Sequence, residues 1–583
     1  MRPDITIEEA YTNLTPFGSP NPMQRDVWRA LVEEKEGGLL LLAPTGSGKT
    51  EAVAVPGLAL ERRLFVILPA RSLVDDQIGR FEEMLQKASA FNTKRPYALV
   101  VDTGTRSQRW LWGDGKRLSE QPQRRHYYQG DIVVTTLDKF LYRFFGFGQP
   151  RKSYVFPLRI HHGLWDPLFC FDEAHTYDTV AWTNFRLLLR ALFEKSLDVV
   201  AMTATMPQEF ADELYFLEER DWVGNPNRRE LNEWSERGEP QRELLYVPCP
   251  AKEIVERLVE QTRRHHKDSH RAIVAVETVR DAVAVFEALD GRKRDEVFLY
   301  HGRLTGERRR EVYVELKQRE GAGREYLLVT TSAIEVGCDL DAHTLITQIC
   351  NPENLLQRVG RCNRQGEMTD ARVIVVGEQV PGYLTTISEE EMQAAYRATL
   401  ANLSGHALDS AAVQAHIVKQ PNPDDRVEIA FRMLYEYVYD AAVENKPLHD
   451  KGLVFTRSWE PSLTLCTGFD DKDRPINSVQ VSIERCAAYD EGDLTSGCHL
   501  FRRTFSRRDY RAIVEPLRYG GCAYLIDMVA EVPLEWYDEH LGYSELPKLF
   551  QRRWQRGYRK QLSRPTETGK SLWLWYLAPR EEE

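Results

Sequence analysis

The sequence predicts an α/β protein with two parallel-sheet domains in tandem and a less regular C-terminal region. Short runs of Val, Ile and Leu recur between longer helical stretches, a pattern typical of strands buried in a parallel sheet. The same alternation of apolar runs and helical stretches resumes after a polar segment at 224–240 and is lost after about residue 400. We therefore predict domains over 1–225 and 240–385, followed by a linker and accessory domain over 386–583.

Apolar runs mark the individual strands of both predicted sheets, and strands that alternate with helices favour parallel pairing. In the first domain the predicted strands are Leu39–Leu42, Leu64–Leu68, Ala98–Val101, Ile132–Thr135, Leu168–Phe171 and Val199–Met202. In the second domain they are Ala272–Val276, Val297–Tyr300, Tyr326–Val329, Leu345–Ile349 and Ala371–Val376. In the C-terminal region we predict helices over Glu389–Leu403 and Val427–Val443.

Composition excludes several classes of protein. A chain of 583 residues is too long for a small disulfide-stapled scaffold. Its nine cysteines show no CxxC pair and no metal-ligand spacing, so we expect reduced thiols in a cytoplasmic enzyme. The sequence shows neither a basic segment followed by an apolar stretch at its start nor a membrane-spanning apolar run, so we expect no signal peptide and no membrane partner. Because the formal net charge is −11, nucleic acid would have to bind in a localised basic channel.

A nucleotide-binding loop follows the first predicted strand. The residues after Leu39–Leu42 read Ala-Pro-Thr-Gly-Ser-Gly-Lys-Thr, a P-loop in which Ala43 replaces the usual first glycine. In such a loop backbone N–H groups turn toward a phosphate, the lysine reaches the β- and γ-phosphates, and the last hydroxyl binds Mg²⁺. The predicted ATP ligands are Thr45, Gly46, Ser47, Gly48, Lys49 and Thr50, with Thr50 also binding Mg²⁺.

A pair of carboxylates follows another strand of the same domain. Leu168–Phe171 leads directly into Asp172 and Glu173, and open α/β sheets bind ligands at the carboxyl ends of their strands. We expect Asp172 to hold Mg²⁺ through water and Glu173 to accept the proton of the attacking water. An Asp-Glu pair alone is more often a solvated turn, and the P-loop in the same domain is what favours catalysis.

These segments resemble the motifs of superfamily 2 helicases, which implies two RecA-like domains. Asp172–His175 is similar to motif II, and Thr203–Thr205 is similar to motif III. The resemblance implies that Gln24 reads the adenine edge, since an amide both donates and accepts hydrogen bonds. It also implies nucleic-acid contacts in motifs Ia, Ib and Ic, at Arg71, Thr103, Gly104 and Thr136.

The second domain carries segments that resemble motifs V and VI of the same helicases. Thr331–Leu340 is similar to motif V, and Gln357–Gly366 is similar to motif VI. Arg361 and Arg364 are three residues apart, so on a helix they would share a face and could both point at the γ-phosphate of ATP held by the first domain. By themselves they would more simply form a solvated helix face. The remaining implied contacts are Gln357 at the same phosphate, Asp339 at the ribose and Thr331 at nucleic acid.

Within superfamily 2 the chain resembles the signature helicase of type I CRISPR interference over about residues 20–380. The resemblance rests on Thr136–Leu141 and on the His-x-Tyr-Asp ending at His175–Asp178. Glu277 stands where this family tends to carry Asn in motif IV. Many members begin with a metal-dependent HD nuclease domain, for which Gln24 lies too near the start of this sequence. We therefore expect the stand-alone helicase form.

The resemblance also implies a biological role. It implies 3′-to-5′ translocation on single-stranded DNA, recruitment by a crRNA-guided surveillance complex and a separate HD nuclease subunit. The dyad His449-Asp450 has no convincing companion ligands, and we interpret it as a structural or surface dyad. An RNA helicase or a nucleoprotein remodeller outside CRISPR remains an alternative. A non-catalytic, ATP-switched scaffold would be expected to lack Glu173 or the arginines, and both are present.

Three basic clusters could carry single-stranded DNA, because arginines with aromatic rings supply charge and stacking. A solvated face or a partner contact explains each cluster as simply. The first comprises Arg106, Arg109, Lys116, Arg117, Arg124 and Arg125 with Trp110, Trp112, Tyr127 and Tyr128; the second Arg552, Arg553, Arg556, Arg559 and Lys560 with Trp554 and Tyr558; the third Arg502, Arg503, Arg507 and Arg508.

Overall fold

A computed structural model divides the chain into two compact units. Unit 1 comprises Met1–Glu239 and Val418–Trp459, and unit 2 comprises Pro240–Ile417 and Glu460–Glu583. The structure describes residues 5–44, 46–103, 107–122, 130–146, 166–174, 177–204, 206, 208–224, 226–235, 241–266, 270–335, 338–381, 387–417, 423–440, 456, 462–471, 473–488, 494–505, 512–516, 523–524, 528–551, 559–561 and 573–577.

Unit 1 is built around one large sheet. Its strands are β1 (Gly38–Leu42), β2 (Arg63–Leu68), β3 (Tyr97–Asp102), β4 (Ser107–Gly113), β5 (Lys116–Pro122), β6 (Ile132–Thr136), β7 (Pro167–Asp172), β8 (Asp198–Thr203) and β9 (Glu218–Asp221). Its helices are α1 (Ile7–Leu14), α2 (Pro22–Trp28), a π-helical turn (Arg29–Glu34), α3 (Lys49–Ala59), α4 (Arg71–Phe91), α5 (Leu137–Phe144), α6 (Thr179–Phe193), α7 (Gln208–Asp212) and α8 (Asn227–Ser235). The strands lie in the order β5-β4-β3-β6-β2-β7-β8-β1-β9.

The central strands of this sheet are parallel and buried on both faces. Every residue of β2, β3, β6 and β7 is buried, which explains why their sequences are continuous apolar runs. Aromatic rings pack between them, and Phe65 stacks on Phe169 with ring centroids 4.8 Å apart. Parallel pairing places the carboxyl ends of all these strands at one edge, where the functional residues follow.

An antiparallel hairpin extends the sheet beyond β3 and was not predicted from the sequence. β4 pairs antiparallel with β3 and with β5. Trp110 and Trp112, the rings of the first basic cluster that could stack on DNA bases, are only 2% and 3% exposed, so these two rings are not available for stacking in this structure. Residues two apart on a strand point to the same face, and here that face is covered, because β4 packs against α4.

Unit 2 contains a second, mostly parallel sheet. Its strands are β10 (Glu243–Val247), β11 (Arg271–Ala275), β12 (Val297–Tyr300), β13 (Tyr326–Thr330), β14 (Thr344–Gln348), β15 (Arg372–Val376) and β16 (His406–Ala407), in the order β12-β13-β11-β14-β15-β10-β16. Its helices are α9 (Ile254–His265), α10 (Val279–Ala288), α11 (Gly306–Gly321), α12 (Pro352–Val359), α13 (Ile387–Leu403) and α14 (Ser410–Gln414), with 3₁₀ turns at Ala251–Glu253 and Ser332–Ile334. Only β16 pairs antiparallel within this described sheet.

The region 386–583 is shared between the two units. Tyr396 and Leu400 of α13 join the core of unit 2. The next helix, α15 (Asp425–Tyr439), packs on unit 1, where Phe431 contacts Phe145 with ring centroids 5.1 Å apart.

The rest of the described chain is β-rich and belongs to unit 2. Its 3₁₀ turns are Ile483–Cys486 and Leu534–Trp536. Its strands are β17 (Ser462–Cys466), β18 (Gly468–Phe469), β19 (Pro475–Ile476), β20 (Val479–Ser482), β21 (Ala487–Ala488), β22 (His499–Phe505), β23 (Ala512–Pro516), β24 (Ala523–Tyr524), β25 (Met528–Glu531), β26 (Phe550–Gln551), β27 (Arg559–Gln561) and β28 (Trp573–Leu577).

The predicted fold class is confirmed, with two parallel α/β sheets and an additional C-terminal region. Each strand predicted in the first two domains is found within one residue at either end. Arg559 and Lys560 of the second basic cluster lie on β27, while 552–558 lies outside the described residues. Among the described helices, none combines the length and apolar character that crossing a bilayer requires.

Candidate functional site

The P-loop and the acidic pair lie one strand apart at the carboxyl edge of unit 1. β8 pairs with β1 on one side and with β7 on the other. Its residue Met202 is the register partner of both Leu41, before the P-loop, and Asp172, at the end of β7. The backbone N–H of Ala43 also donates to the carbonyl of Thr203 at 3.0 Å, which ties the P-loop to the motif III strand.

Two residues ahead of the P-loop hold its backbone. Asn21 and Gln24 form a capping box at the start of α2, each side chain accepting from the other's backbone N–H. Their amide nitrogens then donate to the loop, from Asn21 to the carbonyl of Ser47 at 2.8 Å and from Gln24 to that of Gly48 at 3.2 Å. Sequence reasoning missed Asn21, although the Asn-x-x-Gln spacing of a capping box was a usable signal.

The loop has the backbone shape that a phosphate site needs. Gly46 and Gly48 have φ angles of 79° and 83°, a region that glycine adopts without steric cost. A Cβ on Gly48 would also lie 2.5 Å from the Nε2 atom of Gln24. The positive φ angle therefore favours glycine at 48, and a Cβ there would displace the amide of Gln24.

Lys49 begins α3 and is buried at the centre of the loop. Its ammonium donates to the carbonyls of Ala43 at 2.9 Å and Pro44 at 3.1 Å. Thr50 is buried beside it. The first N–H groups of a helix and its dipole favour an anion at this end. The positive charge of Lys49 and these backbone donors are therefore found at the same end of α3.

The acidic pair occupies a strained turn. Glu173 has a φ angle of 54°, which costs a non-glycine residue about 1–2 kcal/mol, and such strain is typical of functional sites. Its N–H donates to Oδ1 of Asp172 at 2.9 Å. Burial and the neighbouring charge of Glu173 raise the pKa of Asp172 to about 7, and the ammonium of Lys49 opposes this.

The donor set fits ATP and Mg²⁺. Positive-φ glycines, Lys49 and the helix start suit phosphate oxygens, while the hydroxyl of Thr50 and the carboxylate of Asp172 are the hard oxygen ligands that Mg²⁺ prefers. A cation there would neutralise the negative charge that raises the pKa of Asp172. Thr45 lies outside the described residues.

The expected nucleic-acid positions of unit 1 lie at neighbouring strand ends. β6 pairs with β2 and β3, with Thr136 opposite Leu68 and Thr135 opposite Asp102. Thr103 and Thr136 are therefore close to one another, and both are buried. Arg71 begins the helix after β2. Gly104 lies outside the described residues, as does the side chain of Arg71.

The expected nucleic-acid position of unit 2 directly follows β13. Thr331 caps the 3₁₀ turn Ser332–Ile334, and its hydroxyl accepts from the N–H of Ala333 at 3.5 Å. Thr331 is 6% exposed. Val336 and Gly337, farther along motif V, lie outside the described residues.

Arg361 and Arg364 do not lie on a helix, and the expectation of a shared helix face is wrong. α12 ends at Val359, because a bridge between Ala342 and Cys362 and a left-handed Asn363 with φ of 46° redirect the backbone. Both arginines lie on the turn that follows. Gln357 remains on α12 and is partly exposed.

The two arginines are held by motif V. Arg361 donates to the carbonyls of Ile334 at 3.3 Å and Glu335 at 2.9 Å. Arg364 forms an ion pair with Asp339, with Nη1 and Oδ1 2.7 Å apart. The structure therefore brings together Arg364 and Asp339, which were expected at the phosphate and the ribose respectively.

Several other expected residues lie outside the described part of the chain, among them His175, Thr205, the His449-Asp450 dyad and parts of each basic cluster. Among the described residues no group of three or more His, Cys, Asp or Glu could hold a metal ion.

Two family models match the chain in the two segments that carry these motifs. The model of DEAD/DEAH box helicases matches residues 21–214. The model described as CRISPR-associated nuclease/helicase Cas3, C-terminal, matches residues 268–367. The first match contains the P-loop and the acidic pair, and the second contains motifs V and VI.

Individual relatives agree with these matches. The CRISPR-associated helicase Cas3 of Thermoproteus tenax is 25% identical over 59% of this chain and 56% of its own. The ATP-dependent DNA helicase RecQ of Bacillus subtilis is 26% identical over 58% of this chain and 50% of its own. The chain spans about half the length of the curated relatives it matches.

A solved structure extends the likeness of fold. The crystal structure of T. fusca Cas3 with ATP superposes with a TM-score of 0.58 at 18% identity, over 91% of this chain and 69% of the other. This supports RecA-like folds for the two sheets. In its motifs, its fold and both family-model matches, the chain is similar to DEAD/DEAH box helicases and to Cas3.

Proposed function

We propose that this protein is an ATP-dependent translocase and helicase that acts on single-stranded DNA in type I CRISPR interference. The observation that carries the proposal is the grouping of Lys49, Thr50, Asp172 and Glu173 after the carboxyl ends of two parallel strands, β1 and β7, that are separated only by β8. A P-loop beside an acidic pair is the arrangement that hydrolyses nucleoside triphosphates.

In the proposed reaction, water attacks the γ-phosphorus and the bond to the ADP oxygen breaks. Glu173 accepts the proton of that water, and Lys49 and the loop N–H groups bind the phosphates. Thr50 and Asp172 would hold Mg²⁺, which supplies charge neutralisation on the phosphates when bound. Arg361 and Arg364 from unit 2, with Gln357, would stabilise the charge of the transferring phosphoryl group.

The remaining proposed nucleotide contacts surround this centre. Gly46, Ser47, Gly48 and Thr45 would bind the phosphates. Gln24, whose Nε2 atom already donates to the carbonyl of Gly48, would bind the adenine edge through the remaining hydrogen-bonding capacity of its amide. Asp339 would bind the ribose. Because Asp339 pairs with Arg364, we propose that ATP binding exchanges this ion pair for contacts to ribose and phosphate.

Names of relatives favour DNA over RNA as the polymer. The RecQ relative is named a DNA helicase, and the other matching relatives are named for CRISPR. We propose that Arg71, Thr103, Gly104, Thr136 and Thr331 contact the strand, mainly at phosphate and sugar and hence without sequence preference. The resemblance implies 3′-to-5′ movement. The DEAD/DEAH model covers a broad helicase class, which keeps an RNA helicase or nucleoprotein remodeller as the second candidate.

We further propose two partners from the same resemblance. A crRNA-guided surveillance complex would deliver the DNA in the cytoplasm, and a separate HD nuclease subunit would cut the unwound strand. Incubation of the purified chain with single-stranded DNA and Mn²⁺ should leave the strand intact. Cleavage that disappears when a chelator is added would contradict the separate nuclease.

The central test is ATP hydrolysis with and without a polymer. Single-stranded DNA should raise the rate, and Glu173→Gln should lower it by about 10²–10⁴-fold because the proton acceptor is lost. Glu219→Gln, at an exposed position on β9, is the matched control and should hydrolyse ATP normally. Normal hydrolysis by Glu173→Gln would remove the catalytic assignment.

Tailed duplexes separate the two polymers and the two directions. Duplexes with a 3′ DNA tail should be unwound, whereas those with a 5′ tail or an RNA tail should not. Unwinding driven only by RNA tails would favour the second candidate.

A further inference from the structure

A fully buried arginine of motif VI joins three motifs of unit 2. Arg358 is 0% exposed and lies on α12 three residues before Arg361. Its guanidinium pairs with Glu277 at 2.6 Å and with Glu335 at 2.7 Å, and it donates to the hydroxyl of Thr347 at 2.9 Å. A buried guanidinium is tolerated only when it is paired in this way.

The carboxylate of Glu335 is held from α12 on both of its oxygens. Arg358 donates from Nε to Oε1 at 2.8 Å, and Asn354 donates to Oε2 at 2.5 Å. Glu335 directly follows the 3₁₀ turn Ser332–Ile334. The side chains of α12 therefore fix the position of this turn.

The same turn positions Arg361. The carbonyl of Glu335 accepts from Nη2 of Arg361 at 2.9 Å, and that of Ile334 accepts from Nε at 3.3 Å. Two arginines of motif VI thus bind Glu335. Arg358 contacts the carboxylate of Glu335, and Arg361 contacts its backbone carbonyl. A shift of the turn would move the carbonyls that orient the Arg361 guanidinium.

We propose that Arg358 is a positioning residue for ATP hydrolysis: by holding Glu335 it fixes the carbonyls that orient Arg361. The proposal rests on the proposed function of Arg361 at the transferring phosphoryl group. Glu277, which stands where related sequences tend to carry Asn, is a second partner of Arg358. The proposed coupling from Arg358 to Arg361 runs through Glu335 and does not involve Glu277.

The first test replaces Arg358 by Lys. The substitution keeps the buried positive charge, but a single ammonium cannot reproduce the planar fork that reaches two carboxylates and a hydroxyl. The kcat of DNA-stimulated hydrolysis should fall about 10–100-fold, as expected for a catalytic group displaced by about 1 Å. The KM for ATP should stay within about twofold, since a fully buried Arg358 is not expected to contact ATP. A wild-type kcat in Arg358→Lys would overturn the proposal.

A double variant shows whether Arg358 acts through Arg361. If it does, Arg358→Lys/Arg361→Ala should have the same kcat as Arg361→Ala alone, because effects through a shared group are not additive. A double variant that is slower than Arg361→Ala by the full factor of Arg358→Lys would overturn the proposal. A wild-type kcat in Arg361→Ala would overturn both the proposed role of Arg361 and the inference about Arg358. A lowered kcat in Arg361→Ala with a wild-type kcat in Arg358→Lys would overturn the inference alone.

Two further variants test the route through Glu335. Glu335→Gln should lower kcat, and Glu277→Asn should leave it within about twofold, because the contact between Arg358 and Glu335 remains. Equal losses in both variants would overturn the route. These substitutions also test the inference if Arg358→Lys does not fold.

Arg319→Lys is the matched control for general destabilisation. Arg319 is 7% exposed and pairs with Glu315. It donates to the carbonyls of Asp295 and Glu325, which precede the amino ends of β12 and β13, whereas motif V follows the carboxyl end of β13. Its variant should lower the melting temperature and leave kcat unchanged. A kcat loss in Arg319→Lys as large as that in Arg358→Lys would assign both effects to destabilisation and overturn the proposal.

Discussion

At the scale of single residues, the site is built on backbone conformations that most residues avoid. Gly48, Glu173 and Asn363 all have positive φ angles. Glycine accepts this freely, whereas glutamate and asparagine need surrounding contacts to hold them there. Asn363 has such contacts, since its side chain binds the carbonyls of Gln241 and Met368 at 2.9 and 2.8 Å. These contacts set the direction of the chain on which Arg364 lies.

Gly48→Ala should weaken both folding and ATP binding. An alanine with φ near 83° is strained by about 1–2 kcal/mol, and its Cβ would displace the side chain of Gln24 from the loop. We expect the dissociation constant for ATP, measured with a fluorescent analogue, to rise at least about tenfold.

Gly405→Ala is the control for that prediction. Gly405, in unit 2, also has a φ of 83°, but a Cβ added there would meet no atom within 4 Å. This variant should lose a similar amount of stability in chemical denaturation and bind ATP normally. Equal ATP affinities for both variants would show that the contact between positions 48 and 24 is unimportant.

At the scale of elements, β6 delivers a candidate nucleic-acid segment directly into a helix. β6 ends at Thr136 and α5 begins at Leu137. α5 then turns back on the neighbouring strand through a buried ion pair between Arg143 and Asp102, with Nε and Oδ2 3.1 Å apart. Asp102 immediately precedes Thr103, so one ion pair ties together both proposed nucleic-acid segments.

Arg143→Met should destabilise unit 1 and weaken its response to DNA. Removing one partner of a buried ion pair typically costs about 3–5 kcal/mol, and the loops after β3 and β6 lose their common tie. We expect a lower denaturation midpoint and a higher DNA concentration for half-maximal stimulation of ATP hydrolysis.

The matching exposed pair provides the comparison. Arg190 and Glu194 lie on α6 and at its C-terminal cap, with side chains 55% and 59% exposed, and exposed pairs contribute about 0–1 kcal/mol. Arg190→Met should therefore leave stability and DNA stimulation nearly unchanged. The prediction for Arg143 is wrong if its variant behaves like this one.

At the scale of the whole molecule, distant parts of the chain complete each unit. The segment after β25 packs on the loop after β12: Tyr543 donates from its N–H to the carbonyl of Arg303 at 3.2 Å, and the guanidinium of Arg303 donates to the carbonyl of Ser544 at 2.9 Å. His301 is fully buried in this region. Burial, helped by the charges of Arg303 and Arg309, lowers the pKa of His301 to about 4.

The stability of unit 2 should fall as the pH is lowered from about 7 to about 4. An unfolded histidine takes up a proton near pH 6.5, whereas folded His301 stays neutral until about pH 4. The unfolded state therefore binds more protons at this position in this window, and the contribution of His301 to stability drops with falling pH by up to about 3 kcal/mol. Unfolding should be followed across this pH range.

His301→Asn should flatten this part of the pH profile. Its Oδ1 can replace Nδ1 as the acceptor for the N–H of Arg303, which lies 3.1 Å away. His406→Asn, at an exposed position on β16, should retain the wild-type profile. A His301→Asn profile parallel to that of the wild type between pH 7 and 4 would contradict the prediction.

The sequence alone determined the strands of both sheets, the P-loop, the acidic pair and the resemblance to superfamily 2 helicases. Parallel strands buried on both faces need continuous apolar runs such as Leu39–Leu42, and phosphate chemistry needs glycines and a lysine at fixed spacing. These are local requirements, and a local reading of the residues finds them.

Only the tertiary structure decided what lies beyond such local patterns. It ended α12 before Arg361, because the bridge from Cys362 to Ala342 joins residues twenty positions apart. It buried Trp110 and Trp112 against a helix that precedes them in the chain, and it assembled the cluster of Arg358 from three separate motifs. The physical reason is the same in each case: burial and pairing depend on neighbours that the chain brings together only when it folds.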